Sequence, residues 1–281
     1  MKKVISASRR TDLVAFFPDW LAQAIRQERA EFQGPSGRKA TVDLSPATVH
    51  TFVLWSKNFA SLIENRHGLS EGLQKYGQLY LHFTITGLGG TAIEREVPPP
   101  GQALRQLEPL LEIAGSPERV SLRFDPVIYW KENDGVKSNL RFFGELAGRA
   151  AELGTRDIRF SFAQWYGKSK RRAERRGFAY VDPALEAKRK DALYLAGIAG
   201  RYGLNLYCCS QDFLADIPGI RPSACIDGRL LQACHPERLP VSIRKDGTQR
   251  RECRCTESVD IGSYTQTCPH SCVYCYANPR L

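Results

Sequence analysis

The sequence predicts an α/β protein built on a parallel (β/α) barrel, on three observations. Short apolar runs alternate with longer amphipathic ones from Lys3 to Cys209, the strand-then-helix order of a parallel sheet. Nearly every apolar run passes directly into charged, hydroxyl or aromatic residues, as strands opening on one polar mouth would. The number of repeats favours a closed ring of strands over an open sheet.

The elements follow in order. Lys3–Ala7 reads as a strand, and residues 18–29 as a helix with Trp20, Leu21, Ala24 and Ile25 on one face. A short strand over 40–44 precedes a clearer one over 50–55. Residues 79–86 are strand-like, and Pro98-Pro99-Pro100 leads into a helix over 102–114. A strand over 120–124, a helix over 139–153, a strand over 158–162, a long helix over 183–202 and a strand over 205–209 complete the series.

The strand endings SASRRTD, LWSKN, HFTIT, RFDPV, SFAQWYGK and CCSQD carry the chemistry. In a parallel barrel such ends share one mouth, where active sites sit, so Arg9, Arg10, Asp12, Trp55, Lys57, Asn58, Thr84, Thr86, Arg123, Asp125, Tyr166 and Lys168 are expected to converge. For any one of them ordinary loop polarity is the simpler account; the set points to a site. Arg123 and Asp125 lie two apart on one strand, so their side chains share a face and Phe124 takes the other. They are the candidate catalytic pair, with a structural salt bridge as the alternative. Gly87, Gly89 and Gly90 either present backbone amides to an anion or simply make a turn. The basic run KSKRRAERR from Lys168 reads as a solvated helix face rather than an anion site.

At 281 residues and 42 % hydrophobic the chain can bury a large core, and no break in composition separates two domains. The expected organisation is a barrel over 1–209 with an extension of the same domain over 210–281. The opening MKKVISASRRTDL has its apolar run broken at Ser6, so it matches neither a signal peptide nor a membrane span. A cytoplasmic protein without membrane contact is expected. The net charge of +10 suits anionic partners such as nucleotides or nucleic acid, or serves solubility alone.

All nine cysteines lie from Cys208 onward. An odd count without a signal peptide favours metal ligation over a disulfide framework. Residues 210–281 are rich in Pro, Gly and charge, with little room for regular structure, and such a segment needs pinning. Cys209, Cys225, Cys253 and Cys255 supply four thiolates, enough for zinc or a second [4Fe-4S] cluster. Cys208 could replace Cys209, since neighbouring strand residues face opposite ways. Cys234 reads as a bystander; His235 and His270 are candidate ligands for which a loop role is the simpler account.

The closing stretch CPHSCVYCYANPRL places Cys268, Cys272 and Cys275 on one loop. Three soft thiolates suit an iron–sulfur cluster or zinc, and in a four-iron cluster they leave one iron open. The stretch resembles the Cys-x3-Cys-x-aromatic-Cys signature of the radical SAM enzymes. That resemblance implies a [4Fe-4S] cluster, S-adenosylmethionine at its open iron cleaved reductively to a 5'-deoxyadenosyl radical, and Tyr274 near the adenine. In that superfamily the motif follows the first strand; here it comes after the last predicted one. The Gly-Gly-Glu stretch that many of those enzymes use has only Gly89-Gly90 as a counterpart, with Thr91 where the acid would stand. Taken together, SASRRTD, WSKN, TIT, RFDPV, SFAQWYGK, QRRECRC, DIGSY and CPHSCVYCYAN resemble an uncharacterised bacterial and archaeal family noted for this C-terminal cluster. The resemblance covers essentially the whole chain and implies a barrel, TIM-like or radical-SAM-like, but transfers no reaction.

The functional expectation is an iron–sulfur enzyme whose cysteine-rich tail folds over the mouth. An anionic substrate would be held by phosphate pairing and by stacking on Trp55, Trp165 and Tyr166, with ferredoxin or flavodoxin as reductant. The rivals are an iron–sulfur electron-transfer or redox-sensing protein that does not use S-adenosylmethionine, and a zinc-stapled nucleic-acid-binding protein.

Overall fold

Residues 49–56 (VHTFVLWS) are buried at all eight positions, the mark of a strand covered on both faces of a parallel sheet. This strand belongs to a computed structural model that describes residues 1–34, 37–133, 135–277, 279 and 280. Its strands are β1 (Lys3–Ala7), β2 (Arg29–Gln33), β3 (Lys39–Asp43), β4 (Val49–Ser56), β5 (Leu79–Thr84), β6 (Val120–Val127), β7 (Tyr129–Glu132), β8 (Gly135–Ser138), β9 (Asp157–Phe162), β10 (Tyr180–Val181), β11 (Asn205–Cys208), β12 (Ile220–Pro222) and β13 (Val259–Asp260). Eight of them form one sheet in the order β12-β11-β9-β6-β5-β4-β1-β13, with every pairing parallel. An antiparallel hairpin, β2–β3, and a small antiparallel sheet, β10-β7-β8, stand apart from it.

The sheet is open, which corrects the expected closed barrel. Among the described residues β12 pairs only with β11, and β13 only with β1. Closure would need the last strand to reach the free edge of β1, but β13, a two-residue strand from the tail, occupies that edge. Strand-then-helix repeats read alike in open and closed sheets, so the repeat count did not decide the matter. Two smaller expectations also shift. The helix after β1 ends at Arg26, where the chain turns into β2, and the strand read over 40–44 is the second arm of the hairpin.

Apart from β13, strand order follows chain order and never reverses. Right-handed crossovers then put every connecting helix on the same side of the sheet. The side chains obey the two-residue period. Ile5, Phe52, Leu81, Phe83, Leu122, Phe124, Ile158 and Phe160 face the helices and pack with Leu21, Ile25, Leu110, Phe143, Leu146 and Leu195. The alternate residues face the other way, and the tail covers them: Cys225, Ile226, Leu231, Val241, Cys253 and Cys255 pack on Val4, Val53, Trp55 and Tyr80. The tail is also more regular than its composition suggested. It supplies β12, β13 and a helix at Gly228–Cys234 whose Asp227 cap accepts from Arg229 N at 2.9 Å. Among the described residues no helix is long and apolar enough to cross a membrane.

Candidate functional site

The carboxyl ends of β1, β4, β5, β6, β9 and β11 gather around a cavity of about 280 Å³ whose remaining wall is the tail. Crevices outside the carboxyl ends of parallel strands are the usual ligand sites of open α/β sheets. Arg9, Arg10, Asp12, Trp55, Lys57, Thr84, Arg123, Asp125, Tyr166 and Tyr274 line it. So do all seven cysteines of the two expected sets: Cys268, Cys272 and Cys275 on one side, Cys209, Cys225, Cys253 and Cys255 on the other. Cys208 faces the helix-side core instead, while Cys209 lines the cavity.

Four expected members stand elsewhere. Asn58 Oδ1 accepts from Ala60 N and from Gln106 Nε2 and shapes the loop after β4. Thr86 donates to Glu94 Oε1 and supports the glycine turn. Lys168 is exposed on the helix Gly167–Arg175. Trp165 stacks on Tyr180 at 4.1 Å, outside the cavity wall. The glycine stretch is a turn rather than an anion cradle: Gly90 N donates to Glu94 O at 3.1 Å.

Asp12 is the hub of the first-strand loop. It caps the short helix Leu13–Phe16 through Ala15 N, and accepts from Ser56 Oγ, Lys57 N and His270 Nε2 at 2.8 to 2.9 Å. His270 is fully engaged, with Nδ1 on Glu96 O at 2.9 Å and its ring edge-on to Phe16. It pins the cysteine loop rather than serving as a spare loop residue. The same loop is gripped from the basic run. Arg172 donates to the carbonyls of Val273 and Cys275 (3.0 and 2.8 Å), and Arg176 to that of Ser271 (2.6 Å). The expectation of a purely solvated face is therefore corrected at these two arginines; Lys168, Lys170 and Arg171 do face solvent.

Glu94, with no exposed surface, gathers Lys57 Nζ (2.9 Å), the Thr86 hydroxyl (2.8 Å) and the Tyr274 hydroxyl. Burial alone would lower the Lys57 pKa, but Glu94 and then Cys272 outweigh it and the group stays charged. Lys57 Nζ also lies 5.7 Å from the Tyr274 ring centroid. Arg123 and Asp125 form the same-face ion pair, and Asp125 accepts from Ser161. Burial raises the Asp125 pKa, but Arg123 and Ser161 together bring it below the ordinary value. Trp55 stacks on His82 at 4.1 Å, with the Arg9 and Arg123 guanidiniums 5.3 and 5.0 Å from its ring. Only 8 % exposed, it is a wall rather than an open stacking platform. Arg10 is spent on the tail, donating to Gly262 O at 2.7 Å beside Asp260.

Burial pushes the Cys268 thiol up to about 12 and the Cys272 thiol well above its usual range. Across the cavity, hydrogen bonding to Cys255 brings Cys253 down to about 7 against its burial. Among the described residues no three His, Cys, Asp or Glu side chains surround a common point as metal ligands. The donor chemistry of the loop nevertheless fits a soft metal or cluster: three thiols, with Lys57 beside Cys272 and Arg172 beside Cys275 to offset thiolate charge.

Sequence reasoning missed Glu94, His82, Arg159, Arg172, Arg176 and Asp260. Arg159 was within its reach. It alternates with Ser161 as Arg123 does with Asp125, and the same period-two rule places it on the tail-covered face. Glu94 gave no signal, because its turn makes it a neighbour of Tyr274 across 180 positions.

The family model of a domain of unknown function, DUF1848, matches residues 4–277. No curated protein matches the chain. Two solved structures show slight likeness: D-hydantoinase from a Bacillus sp. AR9 (16 % identity, 60 % of this chain and 36 % of that chain, TM-score 0.32) and a second D-hydantoinase (15 %, 77 % and 45 %, 0.34). The chain thus spans less than half the length of either, and likeness at this level lends no support to a barrel and defines no activity.

Proposed function

The chain belongs to the DUF1848 family of unknown function, and we propose that it is an iron–sulfur enzyme of the radical SAM type, with Cys268, Cys272 and Cys275 as the cluster ligands. One observation carries the reading: the three-cysteine loop opens into the same cavity as the carboxyl ends of six parallel strands. A cluster held there supplies one-electron cleavage of S-adenosylmethionine and hence radical chemistry.

The protein's own part is positioning and exclusion of water. Asp12 through His270, and Arg172 and Arg176 through main-chain carbonyls, fix the loop so that its thiols keep one register toward the cavity. Tyr274 is oriented by Glu94, and Lys57 keeps a positive charge beside Cys272. Arg9, Arg123 and Arg250 give the cavity a cationic lining for an anionic, nucleotide-like or nucleic-acid substrate. Ferredoxin or flavodoxin in the cytoplasm would supply the electron.

The test is anaerobic purification with iron and sulfide counts, then spin resonance of the reduced protein with and without S-adenosylmethionine. We expect a cluster signal that changes on addition and 5'-deoxyadenosine as product, both abolished by Cys272→Ala. An unchanged signal without 5'-deoxyadenosine would leave an electron-transfer or redox-sensing protein, and zinc without sulfide would overturn the iron–sulfur assignment altogether.

A further inference from the structure

The face of the sheet beneath the tail carries more positive charge than the carboxylates around it can balance. Arg123 on β6 and Arg159 on β9 are register partners on neighbouring strands, and like charges directly opposite destabilise a sheet. Arg159 is 2 % exposed, and its hydrogen-bond partner is the Ser121 hydroxyl. Asp125 is taken by Arg123. Asp260 receives the backbone N–H of Arg9 and the hydroxyls of Ser6 and Ser8, while the Arg9 guanidinium reaches Ser258 Oγ at 3.2 Å. Arg9 Nη2, Arg123 Nε and Arg159 Nε are all buried without a partner. Buried polar groups are nearly always satisfied, and buried charges are paired or lie beside a metal site. Three guanidiniums with orphaned nitrogens on one face therefore call for an anion.

The groups beside them are thiols. Cys225, Cys253 and Cys255 are buried in one cluster, with Cys209 packed against it. Arg9 and Arg123 line the same cavity as these cysteines and lie over Trp55, which packs in their cluster. The Cys209 and Cys225 sulfurs are 3.7 Å apart. Two thiolates on one tetrahedral zinc, each at about 2.3 Å, stand about 3.8 Å apart. In a four-iron cluster each thiolate takes its own iron, which holds the sulfurs farther apart. The Ile226 amide donates to Cys255 Sγ at 3.4 Å, an outer contact of the kind that supports a metal-bound thiolate.

We propose that Cys209, Cys225, Cys253 and Cys255 hold a single tetrahedral zinc ion, a second metal centre separate from the Cys268, Cys272 and Cys275 loop. Four thiolates around a divalent ion leave a net charge of about −2, which supplies the counter-charge that Arg9 and Arg159 lack and adds an acceptor beside Arg123, already paired with Asp125. The ion ties the end of β11 to two points of the tail, so it closes the tail over the sheet and builds the cavity wall opposite the cysteine loop.

The test uses the full chain with Cys268, Cys272 and Cys275 all replaced by Ala, so that the outcome does not depend on the proposed iron–sulfur cluster. Metal and sulfide are counted after anaerobic purification, and circular dichroism confirms that the fold persists. The expected result is about one zinc per chain without sulfide, lost when Cys253→Ser and Cys255→Ser are added. Replacement of the ion by cobalt should give thiolate-to-cobalt charge-transfer absorption. Arg159→Met should weaken zinc retention about tenfold against a chelator, whereas the exposed Lys168→Met should not. A folded triple variant without metal overturns the proposal, as does one that holds iron and sulfide instead of zinc.

Discussion

At the scale of single residues, the decisive group is Glu94. A carboxylate with no exposed surface needs a cation, and Lys57 supplies it at 2.9 Å. Removing one partner of such a buried pair typically costs about 3–5 kcal/mol, because the other is left charged and dry. We therefore expect Lys57→Met to lower the unfolding midpoint markedly, and Lys57→Met with Glu94→Gln to recover part of the loss. Thermal unfolding of the two variants beside the parent measures this; equal losses in both would mean that the pair does not act as a unit. Tyr274 was legible as a site residue from its place before Cys275. Its partner was not, since no local pattern in GGTAIEREV distinguishes Glu94 from a surface acid.

At the scale of elements, the helix Gly167–Arg175 shows how composition misleads. A run of nine residues with six positive charges reads as a wet surface, and most of it is. Yet Arg172 and Arg176, four apart and so on one face of the helix, turn inward and hold the carbonyls of the cysteine loop. Sequence could place the charges on a helix, but not name the helix's neighbour, which lies about a hundred positions away. Arg172→Met is expected to leave far-ultraviolet dichroism intact while speeding proteolysis within residues 264–277 and, on the proposed iron–sulfur reading, lowering iron retention through gel filtration. Undiminished iron and unchanged cleavage would show that the loop stands without this grip.

At the scale of the whole molecule, strand polarity was legible and closure was not. Which end of each apolar run carries polar residues is a local property, so Arg9, Lys57, Thr84, Arg123 and Tyr166 could be assigned to one rim. Whether the rim belongs to a ring depends on what pairs with the edge of β1, and a two-residue strand some 250 positions away carries no signal of its own. Stability should depend on pH through the opposite end of the sheet. There His50 Nε2 donates to Leu239 O at 2.8 Å and Nδ1 meets the Thr51 hydroxyl at 2.7 Å, with the His235 ring tilted against it at 4.7 Å. Burial lowers the pKa of both rings. The unfolded chain then binds more protons than the folded one below about pH 6.5, the ordinary histidine value, so the contribution is fully present above that pH and is lost as pH falls through and below it. Denaturant midpoints between pH 7.5 and 5.5 should fall more steeply for the parent than for His50→Gln; parallel slopes would remove the histidines from the account.

The pairing of β1 with β13 has a consequence in time. Ser6 donates to Asp260 across 254 positions, and synthesis at about 5–20 residues per second separates the two by about 13–50 s. Until residues 225–255 follow, the arginine face of the growing sheet stays wet and the rim has no opposite wall. Contacts of such long range also form late in folding. Arg9, Arg123 and Arg159 are therefore made before any of the cysteines that line the cavity, so the arginine face precedes its thiol partners in every round of synthesis.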